Sequence, residues 1–430
     1  MSFSQALSGL NSQSQKLGTI GNNIANSQTV GFKGSNVQFS DVFANSRVGL
    51  GTRVSAVLQN FNEGNIESTN RNLDLAVAGN GFFRFMDTSG EVVYSRNGQL
   101  TMKANGDLVN AQGFQIMGYG LNAQGQVQVG GQPVPLNVSA EELAASATTR
   151  VGTTLNLDAR KIPGSEDMST VETNDGTTID YHYSNNFTVY DSLGNPRNIT
   201  VYYEKTDANQ WTAKMTLDGQ TLMQLDNDGN PVLDADGDPI VRAFDLSFDA
   251  NGKLRNGEGD VGDNGTIAGI TFPSDSYLGG APNDLQFDLN LAGSTQFGNS
   301  STVSSLTQNG YTSGTLVGIT IEEDGTIMRN YSNEQSRPAG QIALATFRNP
   351  EGLTPAGDNV WRASAESGQE LVGAPGTGLL GGIVSGAVET SNVDMARELV
   401  DMIVAQRAYQ ANSQTIKTQD ELLQTAINLR

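Results

Sequence analysis

Cysteine is absent from the 430 residues, and His182 is the single histidine. Disulfides, thiol nucleophiles, iron–sulfur clusters, structural zinc and two-histidine metal centres are excluded by count, and a serine triad would have only His182 for its base. His182 stands in the alternating run IDYHYSNNF, where a structural strand histidine is the simpler reading. The run DNDGNPVLDADGDP clusters Asp226, Asp228, Asp234, Asp236 and Asp238. An EF-hand loop needs glycine at its sixth position. Counting from Asp226 or Asp234, that position holds Pro231 or Pro239, so consecutive exposed turns are expected. Gly376, Gly378 and Gly381 have dinucleotide-fingerprint spacing, but the fingerprint needs a helix directly behind it. The residues that follow, GIVSGAVETS, read as extended, so a glycine-rich connection is expected. Glu322 and Glu323 precede a turn and read as solvated; a glycosidase would need carboxylates facing across a groove. The side-chain chemistry therefore points to no catalytic residue, no metal site and no cofactor.

The elements that would position such groups are of two kinds. Phe3, Leu7, Leu10, Leu17 and Ile24 fall on a heptad track, with Ser14 and Gly21 in its small slots, and predict a helix from about 3 to 27. Ser2 with Gln5 reads as a capping box before it. At the other end Ser391 and Asp394 repeat that spacing ahead of Val393, Ala396, Val400 and Ile403. The seam continues less regularly through Ala408, Ala411, Ile416, Leu423 and Ile427. No glycine or proline occurs from 391 to 430, so one helix of roughly 60 Å is expected. Neither helix has a thick enough seam to be stable alone. Between them the period switches to two: GFFRFM (81–86), NFTVY (186–190), ITVYY (199–203) and TLVGITI (315–321) read as strands. Asn97-Gly98, Asn105-Gly106, Asp228-Gly229, Asp236-Gly237, Asn251-Gly252, Asn309-Gly310 and Asp324-Gly325 read as hairpin turns.

Charge is distributed unevenly. The chain carries −21 at pH 7, and residues 146–311, with 9 basic and 23 acidic residues, hold −14 of it. Such a surface repels nucleic acid. No apolar run approaches a membrane span, and MSFSQALSGL lacks the basic and apolar regions of a Sec-type signal peptide. The order helix, β, acidic β, β, helix predicts a multidomain, mainly β chain with paired terminal helices and nested, discontinuous domains. The expected division is 1–30 with 390–430 (helical), 31–70 with 366–389 (connector), 71–145 with 312–365 (β-rich) and 146–311 (acidic β).

Several long motifs carry a resemblance. IGNNIANSQTVGFK (20–33), LAVAGNGFF (75–83), YSRNGQL (94–100) and the stretch from Ser391 to Arg430 resemble the bacterial flagellar rod–hook family. YSNEQ (331–335) and GQIALATFRNPEGL (340–353) are similar to its hook branch, while the acidic middle matches only in kind. The resemblance implies a non-enzymatic, self-assembling subunit of a helical tube, a universal joint that transmits torque while bending. Another axial component, such as distal rod or junction protein, is the nearest alternative within the family. A calcium-dependent β adhesin is a distant one.

By the same resemblance, Phe3, Leu7, Leu10, Leu17 and Ile24 would work with Val393, Val400, Ile403 and Ile427 as the assembly seam. Asn22, Asn23, Asn26, Gly31, Phe32 and Lys33 would form the connector motif. Gln406, Gln410, Gln414 and Gln424 would face a central channel. Implied partners are further copies of the chain, the flagellar rod, hook cap and hook–filament junction proteins, and the type III export apparatus. Neither nucleic acid nor membrane insertion is implied, and the subunit would stand outside the cell.

Overall fold

The computed structural model describes residues 3–43, 49–164, 167–226, 231–235 and 237–428. Two helices, α1 (Phe3–Ala25) and α2 (Met395–Asn428), bracket a chain of short strands. It divides into two compact units, one made of residues 1–141 and 316–430, the other of 142–315.

The start of α2 differs from expectation. Asp394, not Ser391, is the N-cap: its Oδ1 accepts the N–H groups of Ala396 (2.9 Å) and Arg397 (3.2 Å), while Ser391 Oγ takes the N–H of Val393. The helix therefore has 34 residues and is about 51 Å long. Ser2 of the N-terminal capping box lies outside the described residues; Gln5 donates from its amide to the Gly49 carbonyl at 2.6 Å.

In the first unit the main sheet takes strands from both ends of the chain. Phe82–Met86 and Gln115–Tyr119 lie between Ser336–Ile342 on one side and Val92–Ser95 on the other. Inward alternation buries Phe83, Phe85, Ile116, Ile342 and Leu344 in one core. A second, aromatic cluster joins Phe82, Tyr94, Phe347 and Trp361 in edge-on contacts. The strand Ile66–Ser68 pairs with Ala387–Glu389, tying the early chain to the segment just before α2. Residues 374–381, the glycine-rich stretch, form a turn with Gly376 and Gly378 at positive φ and lead into the strand Gly382–Ser385.

The second unit is built on two five-stranded sheets. One centres on Tyr183–Tyr190, Pro196–Asp207 and Gln210–Leu217; the other on Arg150–Asp158, Leu285–Asn290 and Thr266–Phe272. Val151, Leu155 and Leu157 from the second sheet share a core with Val189, Ile199, Val201 and Trp211 from the first, the mark of a sandwich. The chain passes in and out of this unit side by side: Leu143 and Gly314 exchange both backbone hydrogen bonds (2.9 and 3.0 Å), as do Ser146 and Tyr311.

Three of the expected Asn-Gly and Asp-Gly pairs mark turns of a longer type than two-residue hairpins. At Asn105-Gly106, Asn251-Gly252 and Asp324-Gly325 the glycine N–H bonds to the carbonyl three residues back. Lys103, Asp249 and Glu322 then bond to the carbonyl four residues ahead. The positive φ of Gly106, Gly252 and Gly325 belongs to the bulge that closes such a turn. Gly98 and Gly310 are not at positive φ; Gly98 begins the strand Gly98–Gln99 instead. Asp228-Gly229 and Asp236 lie outside the described residues.

Candidate functional site

α1 and α2 lie antiparallel. Asn23 Nδ2 donates to Glu398 Oε1 at 3.0 Å near one end, and near the other Gly9 lies so close that an added Cβ would stand 2.9 Å from Asn412 Nδ2. The covered stripe of α2 runs through Glu398, Met402, Ala405, Tyr409, Asn412 and Ile416, with only Ala405 fully buried among residues of known burial. The stripe mixes Ala405 and polar Glu398 and Asn412 with larger Met402, Tyr409 and Ile416. Most of the large apolar side chains of α2 point elsewhere: Val400, Ile403 and Ile427 are 61%, 51% and 73% exposed, and Leu399, Val404 and Leu423 are exposed as well. On α1, Phe3 and Leu7 are exposed, while Leu10, Leu17 and Ile24 are half-buried, as is Val393 ahead of α2. The helices do pair within one chain, with most of the large apolar residues of α2 outside the covered stripe. Gln406, Gln410, Gln414 and Gln424 are all exposed.

The roots of both helices are fixed to one stretch of backbone. Asn23, fully buried, accepts from the Ser35 N–H through Oδ1 and donates to the Ser35 carbonyl through Nδ2, both at 2.9 Å. Its amide replaces the peptide of a neighbouring strand. Asn392, just before α2, mirrors this: Oδ1 accepts from Gly34 N–H (2.9 Å) and Nδ2 donates to the carbonyls of Asn60 and Asn62. Asn26 donates to the carbonyl and the side-chain oxygen of Asn22, closing the end of α1. With Asn22 and half-buried Phe32 it lines a cleft of about 510 Å³ floored by Gln59 and Trp361.

Beneath these amides is a buried ionic anchor. Lys33 Nζ donates to Glu389 Oε1 at 2.6 Å and to the Asn62 carbonyl at 2.7 Å, with neither charged side chain exposed at all. Gly64 N–H also donates to Glu389 Oε1 at 2.8 Å, and Arg96 Nη1 lies 3.3 Å from Oε2. Arg96 further donates to the carbonyls of Val77 and Gly79. Burial pushes the Lys33 ammonium below its ordinary value, against the opposing pull of Glu389. Gly31 completes the anchor: its N–H bonds to the Glu389 carbonyl at 2.7 Å with φ +69°, and a Cβ there would strike Asn97 N at 2.7 Å. Only glycine fits that approach.

The connector motif residues Asn22, Asn23, Asn26, Gly31, Phe32 and Lys33 are thus gathered at the foot of α1. Sequence reasoning missed Glu389, Arg96 and Asn392 as their partners. The available signal was a lone carboxylate closing the apolar run GIVSGAVE, matched by a lysine between glycine-flanked residues in GFKG. Chemically, the arrangement binds elements together. Among the described residues no His, Cys, Asp and Glu group is placed to hold a metal ion, and no helix is long and apolar enough to cross a membrane.

Comparisons with known proteins agree along the chain. Residues 4–33 match the family model of the flagella basal body rod protein, and residues 76–149 the D1 domain of flagellar hook protein FlgE/F/G. Residues 156–311 match the flagellar basal body protein FlaE D2 domain, and 384–429 the C-terminal model of the basal body rod FlgEFG proteins. The flagellar hook protein FlgE of Escherichia coli (strain K12) is 42% identical over 100% of both chains, and that of Salmonella typhimurium likewise. The Brucella suis hook protein FlgE is 32% identical over 99% of this chain and 97% of its own. A crystal structure of Helicobacter pylori flagellar hook protein FlgE2, 14% identical, covers 75% of this chain and 100% of its own with a TM-score of 0.51, a likeness of fold. With paired terminal helices, β-rich units between them and full-length relatives at such identity, the chain belongs to the flagellar hook protein family.

Proposed function

We propose that the chain is a structural subunit of the bacterial flagellar hook, many copies of which assemble through α1 and α2 into a helical tube. The tube works as a flexible joint passing torque from rod to filament, and its bore serves export. One observation carries this reading: α2 presents Leu399, Val400, Ile403, Val404 and Leu423 to solvent in the single chain. Leu399, Val400, Ile403 and Val404 make an exposed apolar cluster on adjacent turns, the kind of surface that marks an interaction site, and further copies are the partners that a hook subunit has in excess.

The remaining assignments rest on the same reading. Phe3, Leu7, Leu10, Leu17, Ile24, Val393, Val400, Ile403 and Ile427 form the seam between copies, and Gln406, Gln410, Gln414 and Gln424 face the bore. The four-part division into helical, connector, β-rich and acidic segments describes the subunit in the tube. Rod, hook cap and junction proteins are its neighbours, the type III export apparatus its route, and the cell exterior its place; it catalyses no reaction.

The test is assembly itself. Purified chain is concentrated and inspected by electron microscopy and sedimentation. Wild type forms tubes, whereas Ile403→Asp stays monomeric because each contact would bury an unpaired charge. Tubes formed equally well by Ile403→Asp, or a wild type that stays single at every concentration, would refute the reading.

A further inference from the structure

We propose that Asn80 is a site of spontaneous covalent modification, where the backbone nitrogen of Gly81 attacks the Asn80 side chain and its amide becomes a carboxylate. The chain contains seven Asn-Gly pairs, with asparagine at 80, 97, 105, 251, 256, 264 and 309. In every pair the glycine, lacking a Cβ, leaves its own nitrogen open to approach. By sequence the seven are equal candidates. The fold does not treat them alike.

In six pairs at least one of the two reacting groups is held. The N–H groups of Gly106, Gly257 and Gly265 donate to the carbonyls of Lys103, Val261 and Gly262 at 2.9 Å, and that of Gly252 to Asp249 at 3.0 Å. Gly310 N–H donates to Gln308 Oε1 at 2.6 Å, while Asn309 Oδ1 accepts the N–H groups of Thr149 and Arg150. Gly98 is paired with Leu75 in a sheet, and Asn97 Oδ1 accepts the Gln99 N–H. At Asn80, which is exposed, neither group is held: among the described residues no carbonyl accepts the Gly81 N–H and no group bonds to the Asn80 amide. The peptides around them are fixed instead. Gly79 N–H donates to Glu63 Oε1 (3.0 Å), the Gly79 carbonyl accepts from Arg96 Nη2 (2.8 Å) and the Asn80 carbonyl accepts the Gly381 N–H (2.7 Å). Leu380 and Leu344 cover Gly81 on the side where a Cβ would stand.

The reaction balances with water as its only co-reactant. The Gly81 nitrogen gives its proton to solvent and bonds to Asn80 Cγ; the Cγ–Nδ2 bond breaks and Nδ2 leaves as ammonia. Water then opens the cyclic imide at either carbonyl, giving aspartate or isoaspartate. Both products add a carboxylate to the turn that Glu63 already bonds, and isoaspartate also lengthens the main chain between the Arg96 and Gly381 contacts.

The purified full-length chain, held at neutral pH and sampled over weeks, is mapped by peptide mass spectrometry, with an isoaspartyl methyltransferase as the probe of the rearranged product. A backbone hydrogen bond of ordinary net strength slows attack by the nitrogen it holds by about fivefold, so Asn80 should lead each of the other six by at least that factor. In guanidinium chloride, where no pair is held, the lead should vanish. Asn80→Gln, one methylene longer, should lose the modification at this position while the other six keep their rates. An Asn80 that stays intact, another pair that reacts first in the folded chain, or a lead that persists in guanidinium chloride would overturn the proposal. The wild-type map decides even if the variant folds poorly.

Discussion

At the residue scale, Glu389 has no side-chain surface left to water and is bonded to Lys33, Gly64 and Arg96. Removing its charge while leaving two buried cations is far costlier than never having buried them. Glu389→Gln should therefore destabilise the first unit by about 3–5 kcal/mol in urea unfolding followed by fluorescence of Trp361. The second unit, reported by Trp211, should be unaffected. Asn23→Ala strands the backbone groups of Ser35 and should cost about 1–3 kcal/mol.

A pH effect follows from Glu370. Burial alone would raise its carboxyl, but hydrogen bonds from Arg84 and Tyr94 and the Arg84 charge outweigh this and hold it below the ordinary 4.5. Its contribution is then present above 4.5 and is lost as pH falls through the depressed value. Arg84→Met should flatten acid unfolding of the first unit in that window. Lys33 could be picked from its motif, but Glu389 stands 356 residues further on, and no local pattern links a charge to a partner at that distance.

At the scale of elements, periodicity located both helices and the strands Phe82–Met86, Tyr183–Tyr190, Pro196–Asp207 and Leu316–Ile321, because alternation and heptads are imposed by burial itself. It did not reveal which helix face meets which neighbour. α1 and α2 meet through Asn23 with Glu398 and Gly9 with Asn412, small or polar residues that carry no hydrophobic signal, while Val400, Ile403 and Ile427 of the conspicuous seam are exposed. The glycines of α1 separate two situations. Nothing lies within 4 Å of a Cβ placed on Gly18, so Gly18→Ala should strengthen the helix in monomeric protein by up to about 1 kcal/mol, read as raised helical circular dichroism. Gly9→Val should loosen the helix pair, because its side chain would enter the space held by Asn412; faster amide exchange across both helices would show it. Asn97-Gly98 and Asn309-Gly310 are not turns, but turn positions were legible from the pairs Asn105-Gly106, Asn251-Gly252 and Asp324-Gly325. Their loop length was not, since a glycine at positive φ serves both a two-residue turn and a bulge.

At the scale of the molecule, the acidic segment 146–311 was visible as a change in charge alone, and the second compact unit spans 142–315. Its exact limits depend on the Leu143–Gly314 pairing, a long-range contact that composition does not encode. Excision of residues 142–315, with a short Gly-Ser joint, should leave the first unit's thermal transition in place and remove the other. Loss of both transitions in calorimetry would show that the units do not fold separately.

Because the strands leaving and re-entering the body at Leu143 and Gly314 are hydrogen-bonded neighbours, that neck is a natural splice. A foreign protein with adjacent termini could be stitched there at a loop-closure cost of about 0.6 kcal/mol per doubling of its length. Such a chimera would carry its passenger as a pendant load, with the polymerising ends of the subunit unaltered.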